Sequence, residues 1–182
     1  MSYSHEDIVS DVEDLNDNEL MLLSIVGCAP IKITRIQKLG LFIERVLNPD
    51  SGTHGAYHYG AFSDDLDEAA STLNHDGAVA IDQGNYQLTR YGTDLLEEAS
   101  NDPAKNELIT GTRDIASFLN SLSDYQLTKL SYILYPETTG RSLIKDRMSL
   151  GKDHYVMGGM EISTGLTQEQ LRDRLVKRLE RD

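Results

Sequence analysis

The sequence predicts a mainly α chain with a small β-hairpin, ordered as a winged helix-turn-helix followed by a helical carboxy-terminal region. Three observations predict it. Apolar residues recur at helical spacing in three successive segments, Leu20–Val26, Ile36–Leu47 and Leu66–Leu73. Two short extended segments at hairpin spacing, Ala78–Ile81 and Tyr86–Thr89, follow directly. Beyond Ser100, helix-capping signals and helical apolar spacing return.

Residues 1–15 read as an acidic amino-terminal arm. Asn16 and Glu19 have the spacing of a capping box, and Leu20, Leu23 and Val26 suit a short helix buried on one side, closed before Pro30. Cys28 follows this helix and is expected as a small core residue. Ile36, Leu39, Ile43, Val46 and Leu47 define a second amphipathic helix, with Arg35, Lys38 and Arg45 largely on its other faces and Asn48-Pro49 as its stop. Asp50 to Phe62 holds three glycines and two histidines with little periodicity, so it reads as a mobile connector ending in an extended Tyr57–Tyr59 segment. Ser63 is placed as the N-cap of a third helix whose stripe is Leu66, Ala69, Ala70 and Leu73, with Gly77 at C′. The hairpin then turns at Asp82-Gln83-Gly84-Asn85, with Val79 and Ile81 on one face, Tyr86 and Leu88 on another, and positive φ at Gly84-Asn85.

Thr89 caps the next helix, which carries Tyr91, Leu95, Leu96 and Ala99. Asp102-Pro103 is an N-cap followed by N1, and opens a helix patterned by Leu108, Ile115, Phe118 and Leu122. Ser123 with Gln126 is a further capping box, leading to Leu127, Leu130, Ile133 and Leu134 before Pro136. Four glycines mark Ser149 to Gly165 as loop, and Thr167 with Gln170 opens a last helix. The expected divisions are an arm (1–15), a winged-helix domain (16–100), a helical extension (101–148), a Gly-rich loop (149–166) and an amphipathic helix (167–182).

Charge is unevenly spread over the 182 residues, whose net formal charge is −13. Up to Ile31 there are seven acids and no base, whereas Lys32 to Asn48 holds four bases and one acid. Pro49 to Ser100 returns to ten acids against Arg90 alone, and the remainder is balanced at twelve each. Attachment to nucleic acid by bulk charge is thereby excluded, and any phosphate contact has to be local. One cysteine provides neither an internal disulfide nor a zinc knuckle. No run reaches the length of a membrane span and the amino terminus is acidic, so a cytoplasmic location without membrane attachment is expected.

The segments Tyr59-Gly60-Ala61-Phe62-Ser63-Asp64-Asp65-Leu66 and Tyr86-Gln87-Leu88-Thr89-Arg90-Tyr91-Gly92 resemble prokaryotic, especially archaeal, winged-helix regulators. In that group a Tyr-Gly-Pro-(Phe/Tyr)-Ser-x-x-Leu entry leads into the third helix and Tyr-x-Leu-Thr-x-x-Gly follows the wing. Ala61 here stands where the group usually has proline. Ile36-Gln37-Lys38-Leu39 is similar to the Leu-Gln-Lys-Leu of the same group and of the antitoxin-like Panacea domains. The resemblance spans Asn16 to Ala99 and implies a winged-helix regulator that binds DNA.

The residues themselves qualify that implication. The third helix contains Asp64, Asp65, Asp67, Glu68 and Asp76 and neither Lys nor Arg, a composition that repels phosphate. DNA contact is therefore expected at Lys32, Arg35 and Lys38, with Arg90 beside the wing, or at the basic last helix. Asp64, Asp67 and Glu68 suit either a solvated face or the docking surface for a basic protein partner, an adaptor or antitoxin-like role. A third explanation takes the acidity as adaptation to a salty cytoplasm. Leu171, Leu175 and Leu179, ringed by Arg172, Arg174, Lys177, Arg178 and Arg181, suggest a homodimer seam, too short for a long coiled coil. His54 and His58 lack the frame of a metal pair, and no nucleophile elbow or phosphate loop is present, so neither metal, cofactor nor catalysis is expected.

Overall fold

The computed structural model describes residues 3–50, 52–145, 154–157 and 160–163. It is mainly helical with small antiparallel hairpins, as the sequence predicts. The helices are α1 (His5–Asp14), α2 (Asp17–Val26), α3 (Ile33–Leu47), α4 (Asp64–His75), α5 (Arg90–Ala99), α6 (Pro103–Leu119) and α7 (Asp124–Leu134). The strands are β1 (Ile31–Lys32), β2 (Gly55–Tyr57), β3 (Gly60–Phe62), β4 (Val79–Asp82), β5 (Asn85–Leu88), β6 (His154–Met157) and β7 (Met160–Ser163). From α2 to β5 the order is helix, strand, helix, helix, strand, strand, which is that of a winged helix with the β2–β3 hairpin inserted before its third helix.

The chain divides into two compact units that cross the expected domain boundaries: Met1–Ile36 with Asp64–Arg113, and Gln37–Ser63 with Asp114 onward.

In the first unit, α2 packs on α4 and α5, and α1 packs on α5. The capping box at Asn16 is formed, since its Oδ1 accepts from the amides of Asn18 and Glu19 while Glu19 accepts from the Asn16 amide. Residues 1–15 are not simply a charged arm. Ser4 and Asp7 make a second capping box that starts α1, Val12 is buried, and the Tyr91 hydroxyl donates to Asp11 at 2.6 Å. The acids of this segment mask a helix whose start signal, Ser-x-x-Asp, lies in the sequence. Cys28 is exposed rather than core, because α2 ends at Val26 and Gly27 caps it, so position 28 leaves the buried register.

The wing pairs in the register Val79↔Leu88 and Ile81↔Tyr86. Directly opposed residues point to the same side, so all four share one face, which corrects the assignment of the two pairs to different faces. Positive φ falls at Gln83 (49°) and Gly84 (77°), one residue earlier than expected, because the connection has two residues rather than four. Strand β1 was not foreseen. It adds to β5 to give the order β1-β5-β4, with Lys32 opposite Asn85.

In the second unit, the segment expected to be a mobile connector is a folded cover. Strands β2 and β3 pair from Gly55↔Phe62 to Tyr57↔Gly60, and β3 packs on α7. Gly60 sits at φ +97°, with a hypothetical Cβ only 2.5 Å from the Tyr132 ring, so only glycine lets this strand approach α7. The Ser123–Gln126 capping box is formed, and Leu127, Leu130 and Leu134 are buried as expected. Helix α6 passes from the first unit to the second after Arg113; Ile109 and Thr112 are buried in its first part and Ile115, Ala116 and Leu119 in its second, while Leu108 and Phe118 are half-buried. Within the expected Gly-rich loop, β6 and β7 form a hairpin, with His154↔Ser163 at one end and Met157↔Met160 at the other. The Gly158-Gly159 pair between β-branched and aromatic residues is a hairpin signal that a count of glycines obscures. The expected helix 167–182 lies outside the described residues.

Candidate nucleic-acid interface and the buried polar face of α3

Four basic side chains were expected to meet DNA, and the structure separates them. Lys32 is exposed on edge strand β1, Arg35 is half-buried on the first turn of α3, and Arg90 is exposed at the start of α5. Arg90 lies five positions beyond Asn85, the partner of Lys32, with the rest of β5 between them. Lys32 also shares a cross-strand row with Asn85 and Asp82, so an acid tempers its charge at the wing tip.

Lys38 is not a surface contact. It is 6% exposed, and its ammonium donates to the Ala61 carbonyl at 2.9 Å. Burial lowers its pKa to about 8 by taking water away from the ammonium. An ammonium held this way has no reach to a phosphate.

The same face of α3 holds two further polar anchors. The Gln37 side-chain amide donates to the Ser63 carbonyl at 3.1 Å and accepts from the Ser63 amide at 2.8 Å, fixing the residue that precedes α4. Glu44 accepts from the Thr53 amide and hydroxyl at 3.0 and 2.7 Å and pairs with Nδ1 of His54. Burial raises the Glu44 pKa, but the hydrogen bonds of His54 and Thr53 outweigh it and bring the group down to about 2. The carboxylate is therefore ionised at neutral pH, and His54 Nδ1 is the donor of the pair. Nε2 of the same ring is buried with no hydrogen-bond partner among the described residues. His54, in the loop just before β2, is thus a structural tie from that loop to α3. The signal available in the sequence was the placement of Gln37, Lys38, Leu41, Glu44 and Arg45 along one side of the helix, which is interpretable only once something is known to cover that side.

The third helix of the winged-helix order is α4. Leu66, Ala69, Ala70 and Leu73 are buried as expected, while Asp64, Asp65 and Glu68 are exposed and Asp67 is half-buried. Burial and the charge of Asp67 together raise the pKa of Tyr86 on the wing. Gly77 at φ +80° ends this helix, as the sequence indicates, and returns the chain into β4. Leu171, Leu175 and Leu179 lie outside the described residues. Among the described residues, no group of three or more His, Cys, Asp or Glu side chains is placed to hold a metal ion, and no helix is long and apolar enough to cross a membrane.

No family model, curated protein or solved structure matches this chain.

Proposed function

We propose that this chain is a winged-helix regulator-like protein that acts by binding rather than catalysis, and that it meets DNA along the wing edge through Lys32, Arg35 and Arg90. The observation that carries the proposal is the three-stranded sheet β1-β5-β4 with exposed Lys32 on its edge strand. That sheet follows a winged-helix element order, and its edge offers a cation where α4 has acids and neither Lys nor Arg. With at most three phosphate contacts, the logarithm of the binding constant falls with the logarithm of salt at a slope of about −3 or shallower. Fluorescence anisotropy of a labelled duplex pool, titrated from low to physiological salt, measures this. Absence of binding at the lowest salt rejects the proposal.

The exposure of Asp64, Asp65 and Glu68 favours a second reading, in which α4 docks on a basic protein partner. The two separate on one sample: the adaptor captures a partner and shows no DNA affinity in dilute salt. A homodimer through Leu171, Leu175 and Leu179 is compatible with either, and sedimentation of a chain ending before Thr167 tests it.

A further inference from the structure

Within the first unit, a cleft of about 520 Å³ opens between the end of α2, strand β5, helix α5 and Arg113 in the second half of α6. Its volume falls in the range of small-molecule sites, roughly 300–1,000 Å³. The floor is apolar and made by Val26, Leu88 and Leu96.

One wall is acceptor-only. Thr93, Glu97 and Ser100 follow at i, i+4 and i+7 on α5 and so share a face. The Thr93 hydroxyl already donates to the Thr89 carbonyl at 3.0 Å, and the Ser100 hydroxyl to the Leu96 carbonyl at 2.8 Å. Each hydroxyl therefore has only lone pairs left to offer, and Glu97 adds a carboxylate. The end of α2, capped at Gly27, turns the negative pole of a helix toward the same space. From α6, Arg113 brings a guanidinium to the cleft. Neither Glu97 nor Arg113 has an ion pair or side-chain hydrogen bond among the described residues.

We propose that this cleft binds a small zwitterion with an apolar side group, the chemistry of a free α-amino acid, with its ammonium on the Thr93–Glu97–Ser100 wall and its carboxylate on Arg113. The two protein charges cancel, so the site selects a ligand that is neutral overall yet charged at both ends. The apolar floor takes the side group.

Isothermal titration calorimetry of the full chain with L-leucine, L-methionine and L-phenylalanine tests this, with isopentylamine and 4-methylpentanoate as controls that each carry one of leucine's charges. At least one of the amino acids binds at one site per chain. Glu97→Gln, Arg113→Ala and each single-charge control weaken binding about tenfold or more. Both substituted residues are exposed, and unchanged urea unfolding confirms that neither variant has lost its fold. Failure of all three amino acids to bind overturns the proposal. So does binding that survives Arg113→Ala and Glu97→Gln, or a single-charge control that binds as tightly as leucine. The titration uses protein free of DNA, so its outcome is separate from that of the DNA experiment.

Discussion

In the first unit Lys32 stands exposed on an edge strand, whereas in the second unit Lys38, six positions along the chain, is buried with its ammonium on a backbone carbonyl. The contrast extends to the acids. Asp64, Asp65 and Glu68 of the first unit face solvent on α4, and Glu44 of the second is closed in by Thr53 and His54. Charges of the first kind are available to a partner, while those of the second kind hold a hairpin onto a helix. A patch of bases in a sequence therefore counts as a binding surface only after each side chain's cover is known.

Charge reversal at the two lysines breaks the comparison most sharply. Lys38→Glu buries a carboxylate against the Ala61 carbonyl and costs about 3 kcal/mol or more. Lys32→Glu, on an exposed edge, stays within about 0.5 kcal/mol of the parent. Urea denaturation of the two variants measures the difference, and equal costs would remove the distinction between the units.

Next in size is Glu44→Ala. It leaves the Thr53 amide and hydroxyl and the His54 Nδ1 without their acceptor, at a cost of about 2–3 kcal/mol. The alanine pair Asp64→Ala with Glu68→Ala, on the solvent face of α4, changes stability by less than about 1 kcal/mol.

How much of this was legible in the sequence divides along the range of the interaction. The starts of α2, α5, α6 and α7 were visible in Asn16–Glu19, Thr89, Asp102-Pro103 and Ser123–Gln126, because a cap is a contact between residues two or three apart. The β4–β5 wing was visible as two short extended segments around a Gly-containing turn, although the turn has two residues where the sequence reading takes four. Strand β1 has two residues, and its existence depends on β5 more than fifty positions later. The cover over α3 depends on pairs such as Lys38–Ala61 and Gln37–Ser63, which are 23 and 26 positions apart and have no local signature. The same long-range contact took Lys38 out of the candidate interface. Lys32 remained in it because its side chain is exposed on edge strand β1.

The pH dependence sharpens the comparison with smaller effects. Glu44 has a folded pKa of about 2 against an ordinary 4.5, so its contribution is fully present above pH 4.5 and is lost as pH falls from there toward 2. Glu44→Gln flattens stability in that window. Lys38 runs the other way at the alkaline end. Its folded pKa of about 8 lies below the ordinary 10.5, so the unfolded chain binds more protons between those values and stability rises with pH above 8. The rise, on the order of 1 kcal/mol by about pH 9, is absent in Lys38→Met. Denaturation midpoints across both windows check the two signs.

The most direct test of the distinction between available and structural charge is DNA affinity at low salt for two variants that leave the second unit intact. Lys32→Glu with Arg90→Glu removes two of the three proposed phosphate contacts, and the account predicts weaker binding with a salt slope shallower by about 2. Asp64→Asn with Asp67→Asn and Glu68→Gln removes repulsion beside the groove, and the account predicts equal or tighter binding. Unchanged affinity in the first variant, or weaker DNA binding in the second, would contradict the placement of the interface on the wing edge.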